Sequence, residues 1–311
     1  MTTADQSPGS VTVRVPAKVN LDLRVGPVRP DGYHELSTVF MAVGLHDEVT
    51  VTTSDTWRVT VGGPCSAGVP TDDTNLALLA ARTLAEEVGV HDPVSLHLHK
   101  DIPVAGGMAG GSADAAAALV ACDHLWSAGM SRDELADLAG QLGSDVPFAL
   151  SGGIAMGSGR GEQLAPVLAR GSYHWVFALS ETGLSTPEVY AECDRLRAGR
   201  RVPAPTPSPE VMTALRSGDP QALGRALHND LQPAALSLQP GLAEVLEAGV
   251  EYGALGGLVS GSGPTVAFLT ASPEAALDLC VSLTASGVAG DVRRAKAPVH
   301  GAQVVPGPTR V

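Results

Sequence analysis

The segment PVAGGMAGGSADAAAAL, residues 103–119, sets four glycines against a run of good helix formers. Glycine costs about 0.5–1 kcal/mol relative to alanine in regular structure, so Gly106, Gly107, Gly110 and Gly111 need a reason. One reading is a tight loop leading into a packed helix. The other is an anion cradle. Backbone without a Cβ approaches a phosphate closely, and the following helix aims its unpaired N–H groups and positive end at it. Two familiar cradles are excluded. From Gly106 the residues read G-x-x-x-x-G-S, without the lysine of a P-loop, and the segment holds no G-x-G-x-x-G of a dinucleotide fold.

Four more segments carry candidate chemistry. PAKVNLDL places Lys18 and Asn20 two apart on a presumed strand, hence on one face; the ordinary reading of a lone lysine is a solvated one. In RPDGYHEL, Pro30, Asp31 and Gly32 make a turn with Tyr33 and His34 on its shoulder, either as packing or as a ring platform for a base. In LGSDVPFAL, Asp145 follows a helix end and precedes Pro147. It is either the N-cap of a short helix or a carboxylate aimed at a substrate hydroxyl. SGSGPT, residues 260–265, is a glycine-serine turn or a second wall against phosphate. His97 and His99 lack a third ligand at metal spacing and are expected on an exposed strand face.

The elements that must position these residues follow from periodicity. VTVRVPAKVNLDLRV alternates and predicts strands interrupted near Pro16. DEVTVTT and VSLHLHK predict further strands. TNLALLAARTLAEEVG predicts a helix with Leu76, Leu79, Ala80, Thr83 and Leu84 on one face and Gly89 as its stop. The helix after the glycine loop is expected from about Ser112 to Trp126. In SRDELADLAGQLG, Ser131 and Glu134 form a capping-box pattern, and Gly143 ends the helix. Beyond residue 170, YHWVFALS predicts a buried strand and STPEVYAECDRL a helix with Pro187 in its first turn. A proline-rich connector, two short helices, a helix in PGLAEVLEAGV, a strand after SGSGPT, a helix in PEAALDLCVSLTASG and a last strand in DVRRAKAPV complete the order. The mixture predicts an α+β class.

Composition bounds the function. The 311 residues suggest two domains, 44% of them are hydrophobic, and a net charge of −13 argues against a broad grip on nucleic acid. Four distant cysteines, with no C-x-x-C, fit a cytoplasmic protein. No apolar run suggests a membrane span, and MTTADQSPGS lacks the character of a signal peptide. A monomer and a homodimer both fit the sequence.

The motifs together resemble a family. PVAGGMAGGSADAA is similar to the central ATP-binding motif of the GHMP kinases, PAKVNLDL to their N-terminal motif and SGSGPT to their C-terminal one, in the right order and across most of the chain. Ala109 and Ala113 stand where the central motif often has more glycine. RPDGYHELSTVF, LGSDVPF and LHNDLQP narrow the resemblance to members acting on CDP-methylerythritol in the non-mevalonate (MEP) isoprenoid pathway. The resemblance implies a two-lobed α+β fold: a ribosomal-S5-like α/β lobe over residues 10–169, a ferredoxin-like lobe over 170–300, and disordered tails at 1–9 and 301–311. It implies transfer of the ATP γ-phosphate to the 2-hydroxyl of the methylerythritol unit, with Asp145 as base and Lys18 beside it. Asn20 would orient the polyol, Tyr33 and Tyr190 would stack on the cytosine, His34 would bond its edge, and Thr186 would reach the sugar-like end. ATP would meet Asn75, Lys100, Pro103, Gly106, Gly107, Gly110, Gly111 and Ser112, and Mg²⁺ would take Ser112 as a ligand. Two rivals are a GHMP kinase for homoserine, mevalonate or a sugar, which DGYHEL and LGSDVPF oppose, and a nucleotide-binding regulator without catalysis, which the presence of Lys18 and Asp145 opposes.

Overall fold

The structure is a computed structural model that describes residues 9–180 and 182–306. It begins with a long antiparallel pair, β1 (Ser10–Val28) and β2 (His34–Thr53), turned at Gly32 with φ +83°. Then follow β3 (Arg58–Gly62), α1 (Leu76–Val88), β4 (Val94–His99), α2 (Gly110–Trp126), α3 (Arg132–Leu142), α4 (Val146–Ser151), β5 (Ile154–Gly159) and β6 (Gln163–Pro166). The second half runs β7 (Tyr173–Leu179), α5 (Thr186–Arg197), α6 (Pro209–Ser217), α7 (Pro220–Ala226), β8 (His228–Asn229), α8 (Gln232–Leu238), α9 (Gly241–Glu251), β9 (Gly256–Val259), β10 (Val266–Thr270), α10 (Pro273–Ala285), β11 (Asp291–Ala297) and β12 (Gln303–Val304).

Two sheets result. The first is ordered β12-β1-β2-β4-β3, and β2 divides its length between partners: Glu48–Thr53 pairs with β4, while Leu36–Met41 pairs with β5, which carries β6. The second is antiparallel, β11-β7-β10-β9. Its strands obey the period of two. Tyr173, Trp175 and Phe177 join the core that also holds Val13, Leu96 and Leu119, while Val176 and Ala178 face the cluster with Leu279 and Leu283 of α10. One apolar core therefore reaches from the first sheet into the second.

Several expectations are corrected. β1 does not break at Pro16; it runs through as one strand, and its pairing with β2 shifts register between Pro16 and Ala17, with Gly44 and Leu45 of β2 left over as the bulge beside a proline that offers no ladder N–H. α1 buries Ala77, Leu78, Ala81 and Ala85 with Ala80 and Leu84, and turns Leu79 outward, because it packs on the alanine-rich α2. Three short helices, not two, precede α9. The chain beyond residue 300 is not a loose tail from its start: Gln303 and Val304 pair with Arg14 and Val13, covering the free edge of β1. Residues 1–8 and 307–311 of the expected tails lie outside the described residues. His97 and His99 are exposed, as expected, and no group of three metal-ligating side chains is found among the described residues. No helix among them is long and apolar enough to cross a membrane.

Candidate active site

Alternation along β1 places Lys18 and Asn20 on the face opposite Val19 and Leu21, which enter the core. Lys18 is 7% exposed, so the solvated reading is overturned. A buried ammonium needs partners. Its Nζ donates to Asn20 Oδ1 at 2.7 Å and to the Gly107 carbonyl at 3.1 Å, and lies 3.6 Å from Asp145 Oδ2. Asn20 is fixed in turn: its Nδ2 donates to Thr38 Oγ1 at 2.8 Å, and that hydroxyl donates to the Asp22 carbonyl at 2.8 Å. Asp145 occupies the N-cap position of α4, but its side chain makes no capping hydrogen bond. The carboxylate is thus left to Lys18 and the cleft.

The glycine loop closes against the SGSGPT turn. Gly107 has φ +73°, and a Cβ there would sit 1.9 Å from the Ser260 carbonyl oxygen. No other residue fits this approach. The Gly107 carbonyl also accepts from Ser260 Oγ at 3.1 Å, so loop, turn and Lys18 form one unit. α2 begins at Gly110, two residues earlier than expected, so Gly110 and Gly111 are its first turn rather than loop. Its N-cap, Ala109, is left-handed and offers no side-chain bond, which leaves the first N–H groups of a seventeen-residue helix uncapped. A Cβ on Gly111 would meet nothing within 4 Å.

Beneath the loop lies a buried ionic group, of which sequence reasoning named Lys100 but missed its partners Asp47 and Asp114. Lys100 Nζ donates to Asp47 Oδ2, to Asp114 Oδ2 at 2.6 Å and to the Gly110 carbonyl at 3.3 Å. Asp47 Oδ1 accepts the N–H groups of Asp101 and Ile102 at 2.7 and 2.8 Å. One carboxylate thus binds the chain before the loop directly and the chain after it through Lys100. Burial pushes the Asp114 carboxyl up to about 7, against the pull of Lys100 and with the push of Asp47. Burial opposes the charge of Lys100, yet Asp114 and Asp47 hold it above the usual lysine value. Asn75 caps α1, its Oδ1 accepting from Ala77 and Leu78 and its Nδ2 donating to the Pro70 carbonyl. Both Asn75 and Lys100 line the cleft with their polar atoms already bonded within the protein.

At the far end of the cleft, Tyr33 is 54% exposed and stacks on the Arg160 guanidinium, 4.9 Å from the ring centre. His34 and Tyr190 bring their rings to 5.0 Å at 32°. Burial raises the Tyr190 hydroxyl far above its ordinary value, with Asp145 adding to the effect. Thr186 Oγ1 lies 2.8 Å from Ser262 Oγ. A cleft of about 870 Å³ joins every candidate: Lys18, Asn20, Asp145, Tyr33, His34, Thr186 and Tyr190 line it together with Pro103, Gly106, Gly107, Gly110, Gly111 and Ser112. Arg160 and Asp194 also line it and were not anticipated. Gly-Arg-Gly at 159–161 marks a turn but no role, and Asp194 is one charge among several on α5.

Compared with known proteins, residues 75–153 match the family description "GHMP kinases N terminal domain" and residues 211–289 match "GHMP kinases C terminal". The chain is 58% identical over 296 residues to the 4-diphosphocytidyl-2-C-methyl-D-erythritol kinase of Streptomyces avermitilis, covering 95% of this chain and 100% of that one. It is 59% identical over 303 residues to the protein of the same name from Mycolicibacterium smegmatis, covering 97% and 94%. Among solved structures, a 4-(cytidine 5'-diphospho)-2C-methyl-D-erythritol kinase superposes with a TM-score of 0.73 at 33% identity, covering 92% of this chain and 99% of that one.

Proposed function

Since this chain belongs to the GHMP kinases, and among them to the 4-diphosphocytidyl-2-C-methyl-D-erythritol kinases, we propose that its cleft phosphorylates the 2-hydroxyl of that cytidine ester with ATP, and that Asp145 and Lys18 carry the step. The observation behind the assignment is the 3.6 Å pair of Lys18 Nζ and Asp145 Oδ2, set beside a glycine loop whose carbonyl holds the same ammonium. The enzyme is an ATP-dependent small-molecule kinase of the MEP isoprenoid pathway. A cytoplasmic location belongs to the same proposal, supported by four unpaired cysteines.

The uncapped N-terminus of α2 and the loop amides receive the ATP phosphates. Asp145 accepts the proton of the 2-hydroxyl as its oxygen bonds to the γ-phosphorus; the bond from that phosphorus to the β,γ-bridging oxygen breaks, and ADP leaves with the electron pair. Lys18, 3.6 Å from Asp145, stabilises the charge on the transferring group. Asn20, locked by Thr38, offers its amide to the polyol. Mg²⁺ takes most of its ligands from phosphate and water and needs only one or two protein oxygens, so the Ser112 hydroxyl on the cleft wall fits it without a carboxylate cluster; when bound, the ion neutralises phosphate charge. At the other end, Tyr33 and Tyr190 hold the base and His34 bonds its edge.

The test is ADP release from ATP with 4-diphosphocytidyl-2-C-methyl-D-erythritol, set beside homoserine, mevalonate and galactose. Turnover with the cytidine ester alone is expected. Faster turnover with any of the other three, or with methylerythritol phosphate lacking a base, overturns the reading.

A further inference from the structure

We propose that Asp194 fixes the proton of His34 on Nε2, and so makes the site select a cytosine over a uracil substrate; this rests on the reading of His34 as the contact to the base edge. α5 carries Tyr190 and Asp194 four residues apart, hence on one face. Both meet the same imidazole. Tyr190 covers its plane at 5.0 Å, and Asp194 Oδ1 lies 2.9 Å from its Nε2. The His34 side chain is 9% exposed, so the ring is held rather than free to turn in water.

A carboxylate can only accept, so Nε2 must carry a hydrogen. In the neutral ring Nδ1 is then an acceptor. Nδ1 has no hydrogen-bond partner among the described residues, and His34 is one of the residues that line the cleft. An acceptor there calls for a donor on the base. Cytosine presents its N4 amino group at that edge, whereas uracil presents a carbonyl oxygen. Two acceptors facing each other cost affinity, since a site built for a hydrogen bond rejects the analogue that cannot make it. Asp194 acts through His34 and is a positioning residue. It stands 160 positions away and comes from the second half of the chain, so the two halves jointly set the specificity.

The experiment measures kcat/KM of the full-length protein for the cytidine ester and for its uridine analogue, in the wild type, Asp194→Ala, Asp194→Asn and His34→Ala. Asp194→Ala should reduce the cytidine-to-uridine ratio by roughly 2- to 13-fold, the share of one hydrogen bond, with kcat and the KM for ATP unchanged. Asp194→Asn, whose amide oxygen can still accept, should fall between. NMR of nitrogen-labelled histidine, with His34→Ala to assign the resonance, should show the Nε2–H form in the wild type and its loss in Asp194→Ala. If Asp194→Ala keeps the ratio while His34→Ala lowers it, the tautomer proposal falls and the base-edge reading stands. If neither changes the ratio, the base-edge reading falls and takes the proposal with it. A joint loss of kcat and ATP affinity in Asp194→Ala at constant ratio marks a merely structural residue and likewise overturns the proposal.

Discussion

The two ends of the cleft are built differently. At the phosphate end the buried polar side chains are bound to other parts of the fold: Lys18 to Asn20 and Gly107, Asn20 to Thr38, Lys100 to Asp47 and Asp114. Lys18, Asn20, Lys100 and Asp114 are buried, and they come from β1, α2 and the residue that follows β4. At the base end Tyr33 sits on a turn at 54% exposure, and Thr186 and Asp194 are exposed on the cleft face of α5. Phosphoryl transfer gains from groups fixed before the reaction, because reorganisation during the step raises the barrier. Recognition of a remote base tolerates adjustment, because its contacts are made about equally in the ground and transition states. Substitutions at the two ends should therefore separate in kind as well as in size.

The largest effect is expected at Asp145. Asp145→Asn keeps the size of the side chain and removes the proton acceptor, and kcat should fall by about 10²–10⁴. The fold should survive, because the side chain makes no capping bond for α4 to lose. Near-normal turnover by this variant would remove Asp145 from the chemistry.

Next is Gly107. In Gly107→Ala the new methyl group would lie 1.9 Å from the Ser260 carbonyl, at φ +73°, so loop and turn must part. A displacement of about 1 Å can cost 10²-fold in rate, and kcat/KM for ATP should fall by that order. The same movement shifts an oxygen that holds Lys18, so kcat should fall together with ATP affinity. Unchanged ATP affinity in calorimetry would place the nucleotide away from this loop.

This difference between the ends also governs what the sequence reveals. The glycine loop, the SGSGPT turn and the Lys18–Asn20 pair are legible because each is a short pattern whose physics is local. The capping box of α3 and the stop at Gly89 are legible for the same reason. Asp47 and Asp114 are not: their meaning comes from Lys100, 53 and 14 positions away, and only the packing of β2, β4 and α2 creates it. The solvated reading of Lys18 fails because the residue's type says nothing about which strand face a second turn will cover. Pro16 reads as a strand break, yet the long pairing with β2 absorbs it. The pairing of Gln303 with Arg14 leaves no mark in a segment rich in glycine and proline. Local signals show that a site exists, and long-range pairing decides which groups are free in it.

At the base end, Tyr190→Ala removes a half-buried ring packed on His34. Base–aromatic stacking is worth about 1–3 kcal/mol, so KM for the cytidine ester should rise roughly 5- to 150-fold, with kcat little changed. A fall in kcat comparable to that of Asp145→Asn would erase the distinction between the two ends.

The smallest effect is expected at Tyr33. Its ring already stacks on the Arg160 guanidinium, 4.9 Å from the ring centre, and more than half of the residue is open to water. An exposed contact of this type is worth about 0.5–1 kcal/mol. A base that takes the face Arg160 covers gains only the difference between the two contacts. With about 1–3 kcal/mol for the stacking, the net gain is about 0–2.5 kcal/mol, and Tyr33→Ala should raise KM by at most roughly 70-fold with kcat unchanged. Tyr190 has no cation to give up, so its variant should show the larger KM under the same conditions. Steady-state kinetics of both variants with the cytidine ester decides it. A larger KM in Tyr33→Ala than in Tyr190→Ala would mean that the exposed turn, and not α5, supplies the principal platform for the base.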